Sequence, residues 1–134
     1  MTVRSYRDLR VWQRSIDLVH AVYEIARALP SEERSALSDQ IRRAAGSIHA
    51  NIAEGHTRAH RKEFVQFLVI AQASLAELES HLLVVERLGY AEPRALSATL
   101  RMCDEVGRML RVMRGHLQDS PARRPHQTPT ARRP

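Results

Sequence analysis

The sequence predicts an all-α protein, an up-down-up-down antiparallel four-helix bundle with a disordered C-terminal tail. Three observations predict it. Apolar residues recur at steps of three and four through most of the chain, the period of a half-buried helix. The 6 prolines fall only at expected junctions and in the last segment. The apolar runs are separated by short connections, which favours successive helices packing side by side in opposite directions. At 134 residues the chain suits one domain, expected over 1–118, with a core large enough to need no staples.

Ser5 and Asp8 have the spacing of an N-terminal cap, and helix one is expected from there to about Leu29. Leu9, Trp12, Ile16, Val19 and Tyr23 form one apolar stripe; Val11, Leu18, Val22, Ile25 and Leu29 form a second. Two stripes imply a broad buried face, or a core face plus a subunit interface. On this reading Trp12 and Tyr23 are buried. Pro30 ends the helix because it lacks an amide donor and restricts Leu29. Ser31, Glu32 and Glu33 make the corner, with both carboxylates near the start of the next helix.

Helix two is expected from about Ser35 to Glu54, with Leu37, Ile41, Ala44, Ile48 and Ile52 on its core face. Gln40, Arg43, Ser47, Asn51 and Glu54 run beside that face as a polar stripe. Ala44, Ala45, Gly46, Ser47 and Ala50 are small enough to admit a neighbouring backbone. Gly46 costs roughly 1 kcal/mol in mid-helix relative to alanine, so something else must favour it. Gly55 stands where a helix stop belongs, and His56, Arg58, His60, Arg61 and Lys62 follow as a basic run.

Helix three is expected from about Arg61 to Leu88, with Phe64, Phe67, Leu68, Ala71, Leu75, Leu78, Leu82 and Val85 facing the core. Gly89 suits a left-handed cap with Tyr90 folded back towards Val85. Pro93 fits the first turn of helix four, whose stripe of Leu96, Leu100, Cys103, Val106, Leu110, Met113 and Leu117 carries it to about Gln118. The segment 119–134 is rich in proline and arginine and almost devoid of large apolar residues, so it is expected to be disordered.

The formal net charge is +6, from 21 basic and 15 acidic residues, which favours anionic partners. In the expected topology, the start of helix one, the turn between helices two and three and the end of helix four share one pole. Arg4, Arg7, Arg10, Arg14, Arg58, Arg61, Lys62, Arg108, Arg111 and Arg114 gather there. At the other pole the charges nearly cancel. Arg61 and Lys62 fall in the first turn of helix three, where cations oppose the helix dipole by about 0.3–1 kcal/mol each. Arginine forks suit phosphate. The candidate nucleic-acid contacts are therefore Arg7, Arg10, Arg58, Arg61, Lys62, Arg111 and Arg114, reading RNA or DNA backbone rather than base sequence. A solvated basic end and an acidic protein partner are the alternatives.

Folding helices two and three about their turn sets Arg43 level with Ser74 and Glu77. An Arg43–Glu77 ion pair is expected, within a structural polar network of Gln40, Arg43, Ser47, Asn51, Glu54 and Glu77. Catalysis and metal binding find little footing. Asp17 and His20 form only one of the two Glu-x-x-His-like pairs a di-metal bundle needs, and Glu77 and His81 are one residue too far apart. Cys103 lies on a core stripe, where a thiol behaves as a small hydrophobe. No cofactor, metal site or enzymatic activity is expected. No signal peptide or membrane span is expected either, which makes the cytoplasm the default location.

The run QIRRAAGSIHANIAEGHTR resembles the signature of the bacterial four-helix-bundle family of the large-subunit rRNA intervening-sequence proteins. The resemblance spans roughly Tyr6 to Tyr90 and includes DLRVWQRSIDLV, the Pro30–Glu33 corner and EFVQFLVIAQASLAELE. That family is related to the accessory proteins of diversity-generating retroelements. The resemblance implies the four-helix fold and a ring-like homopentamer. Through the retroelement relatives it implies a reverse transcriptase as a protein partner, although this chain looks closer to the intervening-sequence branch. The resulting expectation is a non-enzymatic oligomer that binds nucleic acid through a basic pole, as an adaptor to a nucleic-acid enzyme. The alternative is a structural or protein-interaction scaffold without a nucleic-acid ligand.

Overall fold

The computed structural model describes residues 2–119; the tail expected to be disordered lies, except for Asp119, outside them. Four α-helices account for most of the described residues: α1 Arg10–Ala28, α2 Leu37–Thr57, α3 Arg61–Leu88 and α4 Pro93–Gln118. Short 3-10 turns precede α1 at Tyr6–Asp8 and α2 at Ser31–Glu33. There is no strand among the described residues.

The helices pack in succession, α1 on α2, α2 on α3 and α3 on α4, with α4 returning to α1. Specific contacts give the register. Gly55 meets Phe67 beside the α2–α3 turn, and farther from that turn Ser47 hydrogen-bonds Ser74 at 2.8 Å. Gln72 accepts from Arg114, while Leu75 lies against Gly107. In both pairs, residue numbers rise on one helix as they fall on the other. The core is a single cluster in which Leu18, Val22, Ile41, Ile48, Leu78, Leu82, Val106 and Leu110 are fully buried. Each comes from an expected core stripe, so burial of those stripes holds the helices together.

Several junctions differ from expectation. Ser5 and Asp8 do form a capping box, but around the 3-10 turn; Leu9 then takes an extended conformation before α1 begins. On α1 the stripe containing Val11, Leu18, Val22 and Ile25 is buried with Ser15. The other stripe is shallower: Trp12, Ile16 and Val19 are half-buried and Tyr23 is 40% exposed. Gly55 does not stop α2, which continues to Thr57. A Cβ at Gly55 would stand 2.6 Å from Phe67 Cβ and 2.9 Å from Phe64 Cδ1, so the glycine permits a close helix approach. Gly89, by contrast, is the expected left-handed cap, with φ 70° and the Tyr90 amide donating to Val85 O at 3.2 Å. Glu92 caps α4 by accepting from the Ala95 amide at 2.8 Å, with Pro93 in the first turn.

α3 also departs from expectation as a whole. By length and composition it is apolar enough to cross a membrane, yet only 39% of its most apolar window is buried in the bundle. A core helix meets the same measure, but here Val69, Ile70, Leu83, Val84 and Leu88 all face outward.

Cys103 is buried, and burial first, then Glu79 and Asp104, pushes its thiol up to about 12. Iodoacetamide at pH 8 is therefore expected to leave the native chain unmodified and to alkylate it fully in denaturing urea, as read by intact mass. Rapid labelling of the native protein would contradict this burial.

Candidate nucleic-acid interface

The α2–α3 connection is short, so it delivers the basic run directly into the first turn of α3. Arg61 and Lys62 are exposed there and form no ion pair among the described residues. They rim an open groove of about 580 Å³ between the start of α3 and the last turn of α4. Val65, Gln66, Leu117 and Gln118 complete its lining. This groove joins two of the three chain regions expected to share a pole. The third, the turn at Tyr6–Asp8, packs against α2.

The other candidate cations differ in how far the fold already occupies them. Arg7 lies over the Tyr6 ring at 5.7 Å, and its carbonyl accepts from Gln13 Nε2 at 2.9 Å. Arg10 is exposed in the first turn of α1. Arg58 is paired with Glu54 at 3.0 Å and stacks over Phe67 at 5.0 Å, which spends much of its charge within the turn. Arg114 donates to Gln72 at 2.6 Å, tying α4 to α3 without losing charge. Arg111 is exposed on α4, near Glu79. Burial first, then Asp104, raises the Glu79 carboxyl, and Arg111 opposes both. Arg14 is held between Glu105 at 2.9 Å and Asp17 at 3.0 Å, bracing α1 against α4. Of the residues expected to contact phosphate, Arg61, Lys62 and Arg10 are thus the least committed.

The polar stripe of α2 is narrower than expected. Ser47 bonds Ser74 across the helices, and Asn51 Nδ2 donates back to Ser47 O at 2.7 Å and to its Oγ at 3.0 Å. The Arg43–Glu77 ion pair does not form. Arg43 reaches Asp39 at 3.5 Å and Glu77 lies 3.7 Å from His81, each one turn away on its own helix. A partner four residues along orders fewer torsions than one across a groove, and Arg43, with a side chain 76% exposed, has little reason to reach inward. Glu54 is engaged by Arg58, and Gln40 is exposed.

Among the described residues no cluster of three or more histidine, cysteine or acidic side chains could hold a metal ion.

The family model described as 23S rRNA-intervening sequence protein matches residues 7–112. The chain belongs to the 23S rRNA-intervening sequence protein family. The match begins at Arg7 and takes in Arg10, Arg58, Arg61, Lys62 and Arg111, stopping just before Arg114 and Leu117. A solved structure of a protein of unknown function from the S23 ribosomal protein family of Bacteroides thetaiotaomicron has the same fold, with a TM-score of 0.73. It is 24% identical, and the alignment covers 78% of this chain and 95% of that one. A comparison with curated proteins gives no match.

Within this intervening-sequence fold, two features escaped the sequence reading. One is the groove floor, because Val65 and Gln66 belong to no core stripe. The other is the outward apolar face of α3. Its signal was present as apolar residues at 69, 70, 83 and 84, between the core positions.

Proposed function

We propose that this intervening-sequence family member is a non-enzymatic protein that binds RNA or DNA backbone at the pole where α3 begins and α4 ends. The observation that carries this reading is the placement of Arg61 and Lys62. Both are exposed, neither is paired among the described residues, and together they rim one groove. Their position opposes the α3 dipole, so local helix stability does not account for them. Arg10 and Arg7 extend the positive surface if the helices alternate in direction. Aromatic residues are only 4% of the chain, which leaves little for base stacking and favours backbone contacts.

The protein acts as an oligomer in this proposal, with a second copy covering the outward face of α3. In a homopentamer, the state the family resemblance implies, the groove recurs five times and raises avidity for a long polyanion. Such an assembly, working in the cytoplasm, also suits an adaptor that presents nucleic acid to an enzyme such as a reverse transcriptase. The apolar α3 face also supports a second reading, a scaffold for protein partners whose charge serves only solubility.

Fluorescence anisotropy with a labelled single-stranded oligonucleotide distinguishes the two. Affinity is expected to fall steeply with salt. Arg61→Gln/Lys62→Gln is expected to weaken binding about tenfold or more at low salt and to reduce the log–log salt slope by about 1.4. Arg87→Gln, at the other end of α3, is expected to change neither. Absent binding at low salt, or an unchanged slope in the double variant, leaves the scaffold reading.

A further inference from the structure

The opposite pole was expected to be electrically neutral, but its charges are sorted. Where α1 ends and α2 begins, a depression of about 280 Å³ has Arg27, Arg34, Arg42 and Ser31 in its wall over Leu29 and Pro30. Among the described residues no carboxylate lines it. The corner's Glu33 points elsewhere. Glu33 accepts from the Tyr90 hydroxyl at 3.2 Å and from the Leu37 amide at 3.4 Å. Burial raises the Tyr90 phenol, and Glu33 followed by Glu32 adds to the rise.

The three guanidiniums are only partly neutralised. Arg27 is paired with Glu24 on its own helix. Arg42 lies 3.9 Å from Asp39, a carboxylate it shares with Arg43 at 3.5 Å. Arg34 has no ion pair among the described residues. Ser38 closes the inner wall with its hydroxyl committed to Ala26 O at 3.2 Å, which ties the two helices together beneath the arginines. The result is a concave site with surplus positive charge and planar donors, held on two packed helices.

We propose that this depression binds a single phosphate dianion through Arg34, Arg42 and Arg27. Guanidinium forks match the oxygen geometry of phosphate, and three of them around one concavity suit a divalent anion better than a monovalent one. The volume lies just below the roughly 300–1,000 Å³ typical of drug-sized ligands, so the site suits one phosphate group with its water. That group is either free inorganic phosphate or the terminal phosphate of a larger molecule. The site lies roughly 22 Å along α2 from the Arg61–Lys62 groove, taking 1.5 Å per residue from Arg42 to Thr57. It does not rest on the nucleic-acid reading.

Isothermal titration at low ionic strength tests it with three probes: inorganic phosphate, a 5′-phosphorylated dinucleotide, and the same dinucleotide without the phosphate. Saturable millimolar or tighter binding of one phosphorylated probe is expected. Arg34→Gln, which breaks no ion pair, is expected to weaken it about tenfold, and Arg34→Gln/Arg42→Gln further. Arg61→Gln/Lys62→Gln is expected to leave it unchanged for inorganic phosphate. Tighter binding of the phosphorylated dinucleotide than of inorganic phosphate assigns the site to a terminal phosphate; the reverse assigns it to the free anion. No saturation at millimolar concentrations, unaltered binding in Arg34→Gln, or equal binding of the unphosphorylated dinucleotide overturns the proposal.

Discussion

Gly55→Ala is expected to destabilise the folded chain by about 1–3 kcal/mol, although alanine is the better helix former. The new methyl group would stand 2.6 Å from Phe67 Cβ and 2.9 Å from Phe64 Cδ1. A Cβ cannot swing away as a side-chain tip can, so α3 must shift relative to α2. That shift disturbs the packing of Phe64 and Phe67 at the turn that delivers Arg61 and Lys62 to the groove. Gly46→Ala is the internal control. Among the described residues nothing lies within 4 Å of a Cβ there, so they leave the propensity gain of roughly 1 kcal/mol unopposed. Urea unfolding should move the two midpoints in opposite directions. A Gly55→Ala protein as stable as the parent would mean that the α2–α3 approach is looser than these distances require. If Gly46→Ala instead weakens self-association while stabilising the chain, the unexplained cost of Gly46 belongs to the assembly.

Gly89 and Gly55 show where sequence reasoning succeeds and fails. Gly89 was legible because its neighbours state its purpose: a long apolar run ends there, and a left-handed residue ends a helix. Gly55 presented the same local pattern, a glycine after an apolar run and before a basic one. Its role depends on Phe64 and Phe67 arriving from another helix, which no local window contains. Periodicity found the core stripes because burial against a shared interior imposes them. It could not rank the two stripes of α1, since which one turns inward depends on where α2 and α4 sit. The polar residues were harder still. Arg43 pairs with Asp39, whose i,i+4 spacing was visible in the sequence, whereas a choice between it and Glu77 on another helix needs the exposure of Arg43, which the sequence does not state. The sorting of charge at the α1–α2 corner was invisible for a similar reason. Glu32, Glu33 and Arg34 are adjacent in sequence, but Glu33 faces Tyr90 while Arg34 lines the depression on the other side.

Ile70→Glu/Val84→Glu is expected to convert the proposed assembly to monomers, raising its dissociation constant about 100-fold or more. Ile70 and Val84 are 46% and 43% exposed, beside Val69 at 44% and Leu83 at 52%. Burying the remainder of these four side chains against a second copy would contribute roughly 3–6 kcal/mol before association costs. A carboxylate placed in that contact must be desolvated without a partner, which outweighs what the lost apolar area supplied. Because both positions already face outward in the single chain, its own unfolding free energy should change by no more than about 0.5 kcal/mol. That difference separates assembly from folding: sedimentation velocity should shift while the urea midpoint extrapolated to low protein concentration does not. A parent protein that sediments as a monomer at tens of micromolar, or a double variant that associates as the parent does, would remove the second copy from the α3 face. The groove reading would survive either result, since Arg61 and Lys62 line their groove within one chain. The avidity argument would fall only with a monomeric parent, because it needs several grooves on one particle, and an assembly held through another face would still supply them.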